Sequence, residues 1–349
     1  MLSGVTEPQT NQQPTAPHGR SRRLWRWTKR VFIGVAGLAV FLVLAGVVYQ
    51  FVATKIDQYR YPAPGEMVDV GGYSLHLYCT GEGEAAAPTV VMDSGLGGNV
   101  LDWQLVQPEV AKFARVCTYD RAGMGWSEPG AQPRTSHQIV EELHTLLGKA
   151  GVQGPYVLVG HSLGGTNVQL YASRYPDEVA GMVLVDSATE DEMLVTLTEA
   201  TQGSPVWNKI LATIGVTRLP YTLGGETHER TAISTHAKDT YEFADEVTSM
   251  EESFEQRLAS PLSLGDKPLI VLTAGAFQVP PDAGIPQVQI DSFLEAHSEQ
   301  QADLPLHSQN SEQIIAEDSG HYIQVEQPDL VIDAIRRVIE AARNGSSVA

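Results

Sequence analysis

Residues 156–175 read YVLVGHSLGGTNVQLYASRY. Tyr156–Gly160 is a short apolar run of the kind that fills a buried strand. Leu163–Tyr175 has helical character and stops at Pro176, which cannot continue a helix. Between them lies Gly160-His161-Ser162-Leu163-Gly164, a G-x-S-x-G sequence. The five letters are weak alone and informative between a strand and a helix, where the turn is sharp and lifts the serine hydroxyl above the sheet. Gly160 and Gly164 lack Cβ atoms, so neighbouring elements can approach closely. The helix starting at Leu163 aims its N-terminal amides at the same spot, where they can stabilise developing negative charge. Serine is also a good helix N-cap. Strand, elbow and helix together favour Ser162 as a nucleophile for acyl transfer.

The same alternation extends in both directions. Strand signals occur at Glu66–Val70, Tyr73–Cys79, Thr89–Asp93, Val116–Asp120, Gly181–Asp186, Pro268–Thr273 and Glu312–Ala316. Gly71-Gly72 punctuates the first two as a hairpin. Helical spacing appears at Ser136–Ala150, at about Ile290–Gln301 and at about Pro328–Arg343. Apolar strands alternating with amphipathic helices predict a mostly parallel sheet covered on both faces. Residues 187–262 interrupt the rhythm with polar, acidic, helical sequence and read as an inserted cap. No internal repeat is visible.

The chain has 349 residues and a formal net charge of −19, with 42% hydrophobic and 19% charged residues. This is a globular composition, and the acidic excess argues against nucleic acid as a partner. The charge is uneven. Residues 1–30 hold six basic and one acidic side chain, a net of +5, which leaves −24 on the remainder. Val31–Thr54 contains no charge at all. Its 24 residues would span about 36 Å as a helix, more than a bilayer core of about 30 Å. Arg20, Arg22, Arg23, Arg26, Lys29 and Arg30 precede it, with Trp25 and Trp27 among them. Basic residues favour the cytoplasmic side and tryptophan the interface. A cleaved signal would have a shorter apolar region and a shorter leader, and a buried core helix seldom runs this long without charge. The expected organisation is a disordered basic cytoplasmic arm (1–30), a transmembrane helix (31–54), a linker (55–65) and an extracytoplasmic domain (66–349) with its cap at about 187–262. The lipid bilayer is then a partner through residues 31–54, and the protein is a single-pass cell-membrane protein.

The order of GHSLG, of SGLGG after the third strand, of YDRAGMGWS after the fourth and of SGHY near the end resembles the α/β-hydrolase superfamily of the serine-nucleophile type. The resemblance covers roughly Glu66 to Arg343. DSGLGG and CTYDRAGMGWS look like a bacterial membrane-anchored subgroup. The fold implied is the α/β-hydrolase fold, an eight-stranded, mostly parallel sheet with a helical cap. The chemistry implied is a catalytic triad without metal or organic cofactor, acting on a small-molecule acyl substrate.

Triad order puts histidine last, so His321 in DSGHY is the expected base. His161 should point away from its neighbour Ser162 and reads as structural. His307 competes with His321 but precedes the last strand. The oxyanion donors are the backbone N–H of Leu163, directly after the nucleophile, and, by likeness to the family, that of Leu96. Most relatives carry His-Gly-x where this chain has Ser94-Gly95-Leu96, which changes the loop's support but not its backbone donor. The acid is open. Many relatives place an aspartate in a G-x-x-D turn after the penultimate strand, where this chain has Gly275-Ala276-Phe277-Gln278. Asp282 follows four residues later. Asp186, at the end of GMVLVD, is preferred because some relatives carry their acid after that strand; it could otherwise cap a helix. Asp93 and Asp120 end strands before glycine-containing turns and read as structural.

Cys79 and Cys117 are the two cysteines of the chain. The resemblance makes their strands sheet neighbours, within disulfide range, so a Cys79–Cys117 bond is expected in an oxidising exterior. In the cap, Met193, Leu194, Trp207, Ile210, Leu211 and Tyr221 either line an apolar pocket or form the cap's own core. The acidic run Asp239–Glu255 reads as a solvated face. The function expected is a membrane-anchored serine hydrolase of the esterase or lipase kind. Alternatives on the same triad are acyl transfer, aminopeptidase-type cleavage and perhydrolysis. A further alternative is a surface binding module that keeps the fold without activity. Epoxide hydrolysis and dehalogenation are disfavoured, because those relatives use aspartate where this chain has Ser162.

Overall fold

The computed structural model describes residues 18–83, 87–188, 204–220, 229–276 and 286–348. Eight strands form one sheet: β1 (Glu66–Asp69), β2 (Ser74–Thr80), β3 (Thr89–Asp93), β4 (Val116–Tyr119), β5 (Tyr156–His161), β6 (Val179–Val185), β7 (Leu269–Ala274) and β8 (Ser311–Ala316). Their spatial order is β1-β2-β4-β3-β5-β6-β7-β8. Only β2 runs against its neighbours, antiparallel to β1 and β4, and every other pairing is parallel. The β1–β2 turn uses Gly71 and Gly72 at φ +125° and +111°, and both amides donate to Asp69 Oδ1 at 2.7 and 2.9 Å. That conformation suits glycine, as the hairpin reading requires.

The period of two along a strand explains the layers. Val157 and Val159 of β5 pack on one face with Val183, Ile270 and Leu272, while Leu158 packs on the other with Leu184 and Val271. The first face is covered by α9 (Pro328–Asn344) through Val331, Ala334, Ile335 and Val338. The second is covered by α2 (Ser136–Lys149) and α3 (Leu163–Arg174). A sheet buried on both faces reads as continuous apolar runs, which is why its strands are visible in the sequence. Cys79 and Cys117 are register partners on β2 and β4 and form a disulfide.

The described part of the cap segment is helical: α4 (Pro205–Thr213), α5 (Glu229–Ser234), α6 (Ala237–Thr248) and α7 (Met250–Leu258). α8 (Gln287–Asp303) lies between β7 and β8. The solvated-face reading of Asp239–Glu255 needs correction. Glu251, Glu252 and Glu255 are exposed, whereas Asp239, Glu242 and Glu246 are buried against the main domain.

The N-terminal helix α1 spans His18–Arg60. It is longer than expected at both ends. Residues 18–30 are helical rather than disordered, since Arg, Lys and Leu are good helix formers. Residues 55–60 of the expected linker are helical too, because no breaker occurs before Pro62 and the residue before proline disfavours helix. Arg23–Arg60 is long and apolar enough to cross a membrane, and none of its apolar window is buried in the protein.

Candidate functional site

β5 hands the chain to α3 through Ser162, whose backbone sits at φ +50°. A non-glycine residue there carries strain of about 1–3 kcal/mol unless its surroundings fix it. They do so through three backbone bonds. Ser162 N–H donates to Val185 O at 3.2 Å, and the Ser162 carbonyl accepts from Gly165 at 2.8 Å and Ala188 at 2.9 Å. Ser162 occupies the N-cap position of α3, yet its side chain makes no capping hydrogen bond. The turn closes only because of its glycines: a side chain on Gly164 would collide with the Asp93 carbonyl, and one on Gly160 with the Gly164 carbonyl.

Asp186 directly follows β6 and also has positive φ, at +40°. Its backbone N–H donates to Leu272 O at 2.7 Å, and its side chain is fully buried. His321 Nδ1 lies 2.6 Å from Asp186 Oδ2, and His297 Nε2 lies 3.0 Å from Oδ1. Ala274 N–H also donates to Oδ1, at 2.9 Å. Burial alone would push this carboxyl up, but the hydrogen bonds from His297 and His321 reverse that and hold it well below the usual carboxylate range. An ionised carboxylate only accepts, so His321 offers it an Nδ1–H, and the neutral form of the ring is then the one with its lone pair on Nε2. That is the tautomer a general base needs.

His161 lies beside this pair. Its Nε2 donates to the His321 carbonyl at 2.8 Å, and the two rings are 4.7 Å apart between centroids. Burial lowers the His161 ring to about 3, so it is neutral at pH 7. It holds the His321 backbone. His307 is elsewhere, bonded through Nε2 to Arg257 at 2.9 Å. Asp282 and Gln278 lie outside the described residues.

The loop that carries Leu96 abuts the elbow: a side chain on Gly95 would press on His161 Nδ1 and Ser162 Cβ. Its support comes from Arg121, which is almost wholly buried. All five guanidinium N–H groups are used. Nη1 donates to Asp93 Oδ1 and Ser94 O at 2.8 and 2.6 Å, Nη2 to Gly95 O and Glu246 Oε2 at 2.6 and 3.1 Å, and Nε to Glu246 Oε1 at 2.6 Å. Glu246 Oε2 also accepts from Gly97 N–H at 3.1 Å. The arginine thus ties the loop's carbonyls to α6 of the cap, and Ser94 Oγ adds a bond to Asn99 O at 3.0 Å. Leu163 opens α3, and Leu96 packs its side chain on Ala188, Met250 and Phe254.

Asp93 and Asp120 are structural, as read. Asp93 accepts from Arg121 and from Asn167 at 2.9 Å, and Asp120 accepts from His76, Val100 and Trp126. Two cap residues do not form a cap core: Trp207 is 63% exposed and Ile210 is 42% exposed. Leu211 is half-buried, and Met193, Leu194 and Tyr221 lie outside the described residues. Among the described residues, no group of three or more His, Cys, Asp or Glu side chains is placed to hold a metal ion. His297 and the Arg121–Glu246 pair escaped the sequence reading. Arg121 offered a signal, an arginine directly after a strand end inside YDRAGMGWS; His297 offered none.

A family model described as alpha/beta hydrolase fold matches residues 88–209. The uncharacterized protein YbdG of Bacillus subtilis is 26% identical over 165 residues, covering 47% of this chain and 50% of that protein. An AB hydrolase superfamily protein of Gibberella zeae is 24% identical over 291 residues, covering 73% of this chain and 87% of that one. The enol-lactonase of Burkholderia xenovorans LB400 superposes with a TM-score of 0.56 at 17% identity, over 79% of this chain and 100% of that chain. This chain spans half the length of the Bacillus protein and 29% of an uncharacterized protein of Schizosaccharomyces pombe that it also matches. Strand order and matched segment agree: the chain has the α/β-hydrolase fold.

Proposed function

We propose that this protein is a membrane-anchored serine hydrolase that cleaves a carboxylic ester through an acyl-serine intermediate. The observation that carries the reading is the Asp186–His321 pair at 2.6 Å, whose imidazole lies 4.7 Å from the tilted ring of His161, the neighbour of the strained Ser162. In this reading His321 Nε2 takes the Ser162 proton as Oγ attacks the carbonyl carbon. The amides of Leu163 and Leu96 receive the developing oxyanion. The imidazolium, stabilised by ionised Asp186, then protonates the departing alkoxide. Water, deprotonated by the same imidazole, attacks the acyl-serine and releases the acid. α1 anchors the domain in a membrane, with its basic end cytoplasmic.

General hydrolytic function is supported by relatives such as the enol-lactonase. The test is Ser162→Ala in the purified full-length protein. Turnover of p-nitrophenyl esters and labelling by a fluorophosphonate should both vanish. Unchanged turnover in the folded variant overturns the assignment.

A further inference from the structure

The C-terminal half of α1 packs on the cap at three levels. Gly46 approaches Ile214 so closely that any side chain there would collide with the Ile214 backbone. One turn later Gln50, which is buried, donates from Nε2 to Thr235 O at 2.9 Å. Two turns further, Asp57 pairs with Arg218 at 2.5 Å and has His236 at 3.8 Å. All these partners lie in the inserted segment.

The contacts set a depth if α1 spans a bilayer. A core of about 30 Å takes up about 20 residues. Counted from Val31, directly after Lys29 and Arg30, it ends near Gln50. Gly46 is then about 6 Å inside the hydrocarbon, and Asp57 about 10 Å outside it, where its ion pair meets water. α4 ends at Thr213, and its C-cap residue Ile214 sits against Gly46, so the helix lies at the boundary.

The surface of α4 suits that level. One side packs on α6, where Lys209 Nζ bonds Asp245 Oδ1 at 2.6 Å and Thr213 bonds Tyr241. The other side exposes Val206 (66%), Trp207 (63%) and Ile210. Val216 and Leu219 continue the exposed apolar surface beyond the helix. An interfacial helix buries such a face about 5–10 Å into the headgroup boundary, and tryptophan prefers that depth.

We infer that α4 lies in the surface of the bilayer that α1 crosses, with Val206, Trp207 and Ile210 among phospholipid, so that the cap rests on the membrane beside its anchor. This rests on the reading of α1 as a membrane anchor. Phospholipid is the occupant because the helix that enters the bilayer itself delivers α4 to that depth.

The test uses the full-length chain in vesicles of phosphatidylcholine and phosphatidylglycerol. Both native cysteines are engaged in the disulfide, so an added thiol is the reactive one. A nitrobenzoxadiazole label at Trp207→Cys, and separately at Ile210→Cys, should shift its emission to the blue and lose at least half its intensity to shallow doxyl lipids. The same label at Val40→Cys should be quenched by deep doxyl lipids. Quenching at Val40→Cys with water-like, unquenched emission at both α4 positions overturns the inference and leaves the anchor standing. No quenching at any of the three overturns the anchor, and this inference with it.

Discussion

His297 Nε2 lies 3.0 Å from the Asp186 oxygen that His321 leaves free. The two imidazoles approach one buried carboxylate from different elements, His297 from α8 and His321 from the loop after β8. His297 is thereby a positioning residue: it holds Asp186, and Asp186 orients His321.

Replacing His297 with Phe removes a donor from a buried carboxylate, a change of about 1–3 kcal/mol. We expect kcat on a p-nitrophenyl ester to fall about 5- to 100-fold with KM unchanged. His297→Gln places an amide N–H where Nε2 sits and should restore most of kcat. Equal losses in both variants would reduce His297 to packing.

The choice between Asp186 and Asp282 is open to direct measurement. Asp186→Asn keeps the shape but lets His321 adopt the wrong tautomer, and kcat should fall on the order of 10³–10⁴-fold. Asp282→Asn should leave kcat unchanged. The reverse pattern would move the acid to Asp282.

Arg121→Lys keeps a charge but loses the planar fork that serves five acceptors. Breaking a buried pair of this kind costs about 3–5 kcal/mol. Urea unfolding in detergent should show that loss. The kcat should fall as well, because the Ser94–Gly97 loop loses its tie to Glu246. Full activity in the folded variant would mean that the loop keeps its shape unaided.

The central strands were legible because β3, β4, β5, β6 and β7 are compact apolar runs, which need no knowledge of distant contacts, and the edge strand β1 and its neighbour β2 were legible from the Gly71-Gly72 turn between them. The placement of Ser162, Asp186 and His321 at or just beyond the ends of β5, β6 and β8, and with it the approach of His321 to Asp186, was legible from order along the chain, because the sheet lays strand ends side by side in a fixed sequence. The pairing of Cys79 with Cys117 followed from strand neighbours in the same way. What stayed hidden depends on contacts across long sequence gaps. Glu246 meets Arg121 across 125 positions, and His297 meets Asp186 across 111. An acidic run that serves a buried arginine in another element looks, from its own letters, like a wet surface.

Asp239 gives the cap a pH dependence. Burial, with only partial relief from Lys238 at 3.6 Å and the Gly125 amide at 2.9 Å, pushes its carboxyl up to about 7. The folded chain binds this proton more tightly than the unfolded chain, whose value is 3.8. Stability therefore falls as pH rises from about 4 to about 7, and the penalty is complete above that window. Asp239→Asn removes it. Tm should rise more at pH 8 than at pH 5, by about 2–4 °C for each kcal/mol relieved. Identical shifts at the two pH values would show that the charge is not felt.

The Cys79–Cys117 bond closes β2 onto β4 at the one place where the sheet runs antiparallel on both sides of a strand. Hydrogen bonds can set that register in any solvent, but only an oxidising compartment keeps the sulfurs joined. Copies stranded in a reducing cytosol would fold without their clasp and offer proteases an easier edge to pry open. The same two atoms would thus distinguish copies held in oxidising surroundings from copies held in reducing ones.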